Sequence, residues 1–146
     1  MILYLDTSGL VKRYIREVGT DEVMALLESA GSVGSASLTK VEMAAAFEKT
    51  VRQGWVKRKI AMQAWHDFLG HWSSFTRLNA SSGTVERASS LAWEYSLRGY
   101  DAMHLACTLL WKETLETQIT MATFDRDLWQ ASNKAGLVVW PEILIS

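Results

Sequence analysis

Ile2-Leu3-Tyr4-Leu5-Asp6-Thr7-Ser8 is the stretch whose reading decides the fold: four apolar residues run straight into an acid, with two hydroxyls and Gly9 behind it. An unbroken apolar run of this length reads as a strand buried on both faces, as in the middle of a parallel sheet. A carboxylate at the carboxyl end of such a strand sits where open α/β sheets place their chemistry. The same acid could instead cap a helix beginning near Ser8, since Asp, Thr and Ser are all good N-caps. Thr7 and Ser8 are better placed for capping, which leaves Asp6 free for a site. The weight of that reading depends on whether other acids reach the same place.

Outward from this strand, helical and extended segments alternate. Residues 8–17 carry Leu10, Val11, Tyr14 and Ile15 at helical spacing, with Gly19 to end the helix. Thr20-Asp21-Glu22 opens a second helix with acids at the positive end of its dipole, and Val23, Leu26 and Leu27 form its buried side. Residues 32–37 are small and poor in strand propensity, but their place between two helices makes them strand two. Helices follow over 38–54 and 57–75, the latter with a wide apolar stripe of Ile60, Ala64, Trp65, Phe68, Leu69, Trp72 and Phe75. Residues 76–79 are the candidate third strand. Residues 82–98 form a helix with Val85, Ala88, Leu91, Ala92 and Tyr95 on one face and Gly99 placed as its C′ residue. A further helix runs from Asp101 to about residue 116, burying Ala102, Leu105, Ala106, Leu109 and Leu110. Residues 119–123 are strand four, 125–134 a helix, and 137–140 strand five, ended by Pro141. Strands separated by helices imply an α/β fold with a central parallel sheet of four to five strands and right-handed crossovers.

Composition narrows the class. With 146 residues, 49% hydrophobic, 21% charged and one proline, the chain reads as a single globular domain over 1–146. A formal net charge of −1 gives no global basic field of the kind that advertises a nucleic-acid binder. Cys107 is the only cysteine, so no intrachain disulfide can form and a reducing compartment is expected. The apolar start meets Asp6 too soon for a signal-peptide core, and no apolar run approaches the ~20 residues that span a bilayer. A cytoplasmic protein with no membrane partner is expected.

Of the 16 acids, most fall on helix faces where they are simply solvated. Four sit at element junctions: Asp6 after strand one, Glu42 in the first turn after strand two, Asp101 at a helix start and Asp125 after strand four. Strand ends and the following helix N-termini share one edge of a parallel sheet, which brings three of the four together from topology alone. Each also has a purely structural use. Thr39-Lys40-Val41-Glu42 fits a capping box, and Asp101 and Asp125 can be plain N-caps. A carboxylate cluster repels itself, and hard cations such as Mg²⁺ and Mn²⁺ relieve that repulsion while leaving positions for phosphate oxygens. The chemistry that fits is metal-assisted phosphodiester hydrolysis.

The blocks Leu5-Asp6-Thr7-Ser8, Leu38-Thr39-Lys40-Val41-Glu42, Tyr100-Asp101-Ala102-Met103-His104-Leu105-Ala106 and Ala122-Thr123-Phe124-Asp125 resemble, in order and spacing, the signature blocks of PIN-domain ribonucleases. The best match is to the VapC toxins of type II toxin–antitoxin pairs, and it covers essentially the whole chain. The resemblance implies a three-layer α/β/α PIN-like fold in which Asp6, Glu42, Asp101 and Asp125 bind Mg²⁺ or Mn²⁺ and cleave RNA. It places the family's hydroxyl after the first acid on Thr7 or Ser8, and the one before the last acid on Thr123. It favours Asp125 over Asp127 in Asp125-Arg126-Asp127. It also implies a homodimer and a cognate VapB-like antitoxin whose C-terminal segment blocks the site. The alternative is a non-catalytic PIN-like module that binds RNA or protein.

Other residues carry less. Lys12, Arg13 and Arg16 follow the Asp6 turn and are the candidate phosphate contacts. Lys49, Arg52, Lys57, Arg58 and Lys59 surround Trp55, and a solvated corner with the indole packed away is favoured over an RNA contact. His104, one turn beyond Asp101 on the same helix, could approach the metal, but on an Ala- and Leu-rich helix the satisfied core histidine is favoured. A receiver domain would need paired acids after strand one, where Thr7 and Ser8 stand, and a haloacid-dehalogenase-like phosphatase would need an acid at Ser8.

Overall fold

The computed structural model describes residues 1–144. Ile2–Leu5 forms β1, and β2 (Ser32–Ala36), β3 (Thr76–Leu78), β4 (Thr120–Ala122) and β5 (Val138–Trp140) complete one sheet in the order β3-β2-β1-β4-β5. Every adjacent pair is parallel, with Tyr4 beside Gly34 on one side and Met121 on the other. Among the described residues, seven α-helices cover the sheet: α1 (Thr7–Leu10), α2 (Thr20–Ser29), α3 (Thr39–Arg52), α4 (Arg58–Trp72), α5 (Ser82–Tyr95), α6 (Gly99–Leu115) and α7 (Arg126–Lys134). β1 is central, which is why its apolar run has no polar interruption.

Side chains alternate across a strand, so β1 serves two cores. Leu3 and Leu5 join Leu10, Val23, Met43, Phe47, Phe68 and Trp72 from the first four helices. Tyr4, on the opposite face, joins Ala88, Leu91, Leu105, Leu109 and Leu128 from the last three. The result is the three-layer α/β/α arrangement. The chain builds outward from β1 to β2 and β3, then crosses to β4 and β5. The crevice between the ends of β1 and β4 is therefore the switch point at which open α/β sheets bind ligands.

β2 owes its poor propensity to packing. A Cβ on Gly34 would lie 2.7 and 2.8 Å from ring atoms of Trp111 on α6 and 3.0 Å from the Thr76 carbonyl of β3. Only glycine lets α6 lie this close to the sheet. Gly34→Ala is expected to cost about 1–3 kcal/mol through overpacking, measured as a lower denaturant midpoint at unchanged slope.

Four local expectations are corrected. Residues 8–17 are not one helix: α1 ends at Leu10 and a 3₁₀ turn covers Val11–Arg13. Beyond it Tyr14 sets its ring 5.6 Å from Phe68 and 6.2 Å from Phe47, between α3 and α4. Gly99 is not the C′ residue of α5; that helix stops at Tyr95, and Ser96 takes the left-handed conformation with φ 54°. The early stop lets Leu97 turn into the core, and Gly99 opens α6 instead. On α4, Ile60 and Leu69 face solvent, because the buried line runs Ala61, Ala64, Phe68 and Trp72. Val85 on α5 is exposed, and Thr84, Ala88 and Leu91 are the buried positions.

Candidate active site

Asp6 is the first residue beyond β1 and is buried. It caps α1, contrary to expectation: Oδ1 accepts a hydrogen bond from the Gly9 N–H at 3.0 Å. Capping and a site role are compatible, since a carboxylate has lone pairs for both. Gly9 must be small here, as a Cβ would lie 3.1 Å from the Ala122 carbonyl and 3.2 Å from Leu5. Ser8 Oγ donates to Asp6 Oδ1 at 2.8 Å and accepts from the Phe124 N–H at 2.9 Å. Thr123 Oγ1 donates to Asp6 Oδ2 at 2.7 Å and accepts from the Asp125 N–H at 3.0 Å. These two hydroxyls tie the end of β1 to the end of β4 and hold Asp6 in one orientation.

Glu42 stands in the first turn of α3, where its Oε1 accepts from Thr7 Oγ1 at 3.0 Å. The two hydroxyls after the first acid thus divide the work, Ser8 serving Asp6 and Thr7 serving Glu42. Asp101, in the first turn of α6, is buried, and Asp125 caps α7 through the Leu128 N–H at 3.0 Å. All four acids line one cavity of about 390 Å³, together with Thr7, Ser8, Val11, Ala46, Arg98, Tyr100 and His104.

Burial pushes the Asp6 carboxyl up from its ordinary value, against the pull of His104 and of the hydrogen bonds from Thr123, Gly9 and Ser8. Asp101 is raised too, by burial first and then by the negative charge of Asp125, while Arg98 lowers it. Burial, and at Asp101 also the neighbouring Asp125 carboxylate, thus disfavours the ionised form of both acids. An all-oxygen set of this kind suits a hard divalent cation. Among the described residues, no three His, Cys, Asp or Glu side chains are disposed, as they stand, to hold a metal ion. Asp6 faces Ser8 and Thr123, Glu42 faces Thr7 and His104, and Arg98 stands between Asp101 and Asp125. The donor set fits a cation, and occupancy would require some of these side chains to turn.

The remaining candidates lie elsewhere. Asp127 points into a separate depression beside Glu94, Tyr95 and Lys134. Lys12 donates to Glu17 and to the Val18 carbonyl and lies over the Phe124 ring. Arg13 packs beside Tyr14 and His71, and Arg16 pairs with Asp21. None of these four lines the acid cavity. Trp55 is not packed away: it is exposed, with the Lys49 ammonium 5.9 Å from its ring centroid.

Three residues of the site were not read from the sequence as such. His104 is a buried histidine, as expected, but it is also wired to an acid: its Nε2 lies 2.7 Å from Glu42 Oε1 and its Nδ1 2.6 Å from the Tyr4 hydroxyl. Burial raises the Tyr4 phenol well above its ordinary value, so it keeps its proton. A carboxylate only accepts, so the 2.7 Å contact is an Nε2–H donating to Glu42. The three-residue spacing from Asp101 puts His104 one helical turn away on the same face, but gives no sign of its bond to Glu42. Arg98, three residues before Asp101, is the third, with Nε 3.1 Å from Asp101 Oδ2 and a terminal nitrogen 2.8 Å from Asp125 Oδ2.

Comparison with known proteins bears on the fold and the family. Over 140 residues, 96% of this chain and 95% of the relative, the sequence is 27% identical to ribonuclease VapC45 of Mycobacterium tuberculosis (strain CDC 1551 / Oshkosh). The fold resembles that of a toxin–antitoxin complex from Klebsiella pneumoniae, with TM-score 0.65 and 20% identity over 98% of this chain and 99% of that one. It likewise resembles Mycobacterium tuberculosis VapC20, described as a sarcin-ricin loop cleaving toxin, with TM-score 0.65 and 16% identity over 98% and 99% of the two chains. The family model for the PIN domain matches residues 3–134, from the first buried residue of β1 to the end of α7, and the chain belongs to the PIN-domain family.

Proposed function

We propose that this protein is an endoribonuclease that depends on Mg²⁺ or Mn²⁺ and acts as the toxin of a VapBC-type toxin–antitoxin pair. One observation carries the reading: Asp6, Glu42, Asp101 and Asp125, brought from four separate segments of the chain, line one cavity. Its location follows from the switch point between β1 and β4. The relatives named ribonuclease VapC support the substrate class.

In this reading the four carboxylates hold the cation. A bound divalent ion supplies a water of lowered pKa and positive charge against the phosphate oxygens. The chain's own residues fix the ligands. Ser8 and Thr123 orient Asp6, Thr7 and His104 orient Glu42, and the buried Tyr4 holds the His104 ring. Tyr100, exposed at the cavity rim, is the aromatic side chain available there to a nucleotide base. A VapB-like antitoxin segment is the partner proposed to block this mouth, in line with the toxin–antitoxin complex that shares the fold. A homodimer is part of the same proposal and is checked by sedimentation.

His104→Ala is expected to lower cleavage about 10- to 100-fold, as removal of an outer partner of a metal ligand does, with the effect in kcat and little change in KM. Steady-state kinetics check it. The proposal itself is tested by incubating purified protein with a structured RNA in Mg²⁺, in Mn²⁺ and in EDTA. Cleavage in both metals that stops in EDTA is expected. Cleavage undiminished in EDTA overturns the metal dependence, and binding without cleavage in any condition favours a non-catalytic module.

A further inference from the structure

Arg98 contributes the one guanidinium to a cavity lined by four carboxylates. Its backbone is extended at the start of α6, and its side chain reaches over the first turn to Asp101 and across to Asp125. Both ion pairs use one Oδ2 atom of each acid. They are made by an exposed side chain, 72% accessible, so little packing holds it in place. Pairs of this kind are individually weak, and a doubly charged ion chelated by several carboxylates competes well with a single guanidinium. The bridge spans two acids close enough for the charge of Asp125 to raise the Asp101 carboxyl.

We propose that Arg98 is an internal stand-in for the cation: it bridges Asp101 and Asp125 in the metal-free protein, is displaced when a divalent ion binds, and then grips an RNA phosphate at the cavity mouth. The inference rests on the reading of the four acids as a cation site. It gives Arg98 two roles that pull in opposite directions. Before the ion binds, Arg98 competes with it. Afterwards, its planar fork is the group best suited to hold a phosphate.

The test measures Mn²⁺ affinity of the full chain by calorimetry, without RNA, for the wild type, Arg98→Ala and Arg98→Lys. Arg98→Ala is expected to bind Mn²⁺ about tenfold more tightly, the scale of removing two exposed ion pairs that compete with the ion. Arg98→Lys keeps the charge and is expected to fall between the two. At saturating Mn²⁺, Arg98→Ala is expected to show a KM for RNA raised about tenfold or more, the scale of removing one hydrogen bond between charged groups. Tighter metal with weaker RNA is a split that a merely structural arginine would not produce. Wild-type binding of Mn²⁺ with equal or weaker binding by Arg98→Ala overturns the stand-in and leaves the acid site standing. An unchanged KM overturns the phosphate role. No Mn²⁺ binding by any of the three proteins overturns this inference and the metal-dependent reading together.

Discussion

Asp6→Asn is expected to lower RNA cleavage by about a hundred- to a thousandfold, the scale seen when one group stabilising transition-state charge is removed, and to make the metal-free protein more stable. The two effects share a cause. Asp6 is buried, and burial raises its carboxyl above the ordinary value of 3.8. Folding therefore favours its protonated form. The stability this contributes is fully present below the unfolded value and is lost as pH rises through the raised native value. At neutral pH the ionised Asp6 is a cost of folding, which an amide that cannot ionise avoids. The amide also keeps an oxygen for the Gly9 N–H, and the Ser8 and Thr123 hydroxyls can rotate to suit it. Thermal melts in EDTA from about pH 4 to about pH 7 are expected to show the advantage of Asp6→Asn growing with pH. A variant that loses both activity and stability would mean that Asp6 serves the fold rather than a site.

Phe68→Ala is expected to cost about 3–5 kcal/mol, a large share of the stability of a domain this size. Phe68 is fully buried, with ring centroids of Trp72 at 5.3 Å, Tyr14 and Trp65 at 5.6 Å and Phe47 at 6.4 Å. No neighbour on α3 or α4 can collapse into the space without breaking another ring–ring packing. The denaturant midpoint should fall steeply. Cleavage per folded molecule should be retained, because α4 contributes no residue to the acid cavity.

The same cluster accounts for part of the tryptophan content. Trp65 and Trp72 belong to it, Trp111 packs against Gly34, and Trp140 meets Phe124 edge-on. The Trp129 indole donates to the Pro141 carbonyl at 2.8 Å. Trp55 and Trp93 are exposed, and nothing in the fold explains them.

What could be read from the sequence was what depends on order and period. Ile2–Leu5 as a central strand, the alternation of strands and helices and the parallel sheet follow from apolar runs and spacing, and the structure has them. Three of the four acids fall at strand ends or the helix starts after them, so topology alone predicts a shared edge. Asp101 does not follow a strand, and only the packing of α6 brings it to Asp125. What could not be read depends on tertiary packing. The helix after Asp6 is cut short where Tyr14 turns toward Phe47 and Phe68, and α5 is cut short where Leu97 turns inward. His104 was legible as buried but not as Glu42's partner, because that hydrogen bond spans 62 residues. Lys12 and Arg16 were near Asp6 in sequence, yet nearer acids at Glu17 and Asp21 take their charges.

That Asp6, Glu42, Asp101 and Asp125 form one divalent-cation site that cuts RNA is tested by following cleavage of an end-labelled structured RNA across a Mn²⁺ titration. The wild type is run beside Asp6→Asn, Glu42→Gln, Asp101→Asn and Asp125→Asn. Saturable Mn²⁺-dependent cleavage by the wild type is expected, with a loss of about a hundredfold or more in each folded variant. Cleavage at the wild-type rate by any one of the four, or by the wild type without metal, would contradict a shared cation site.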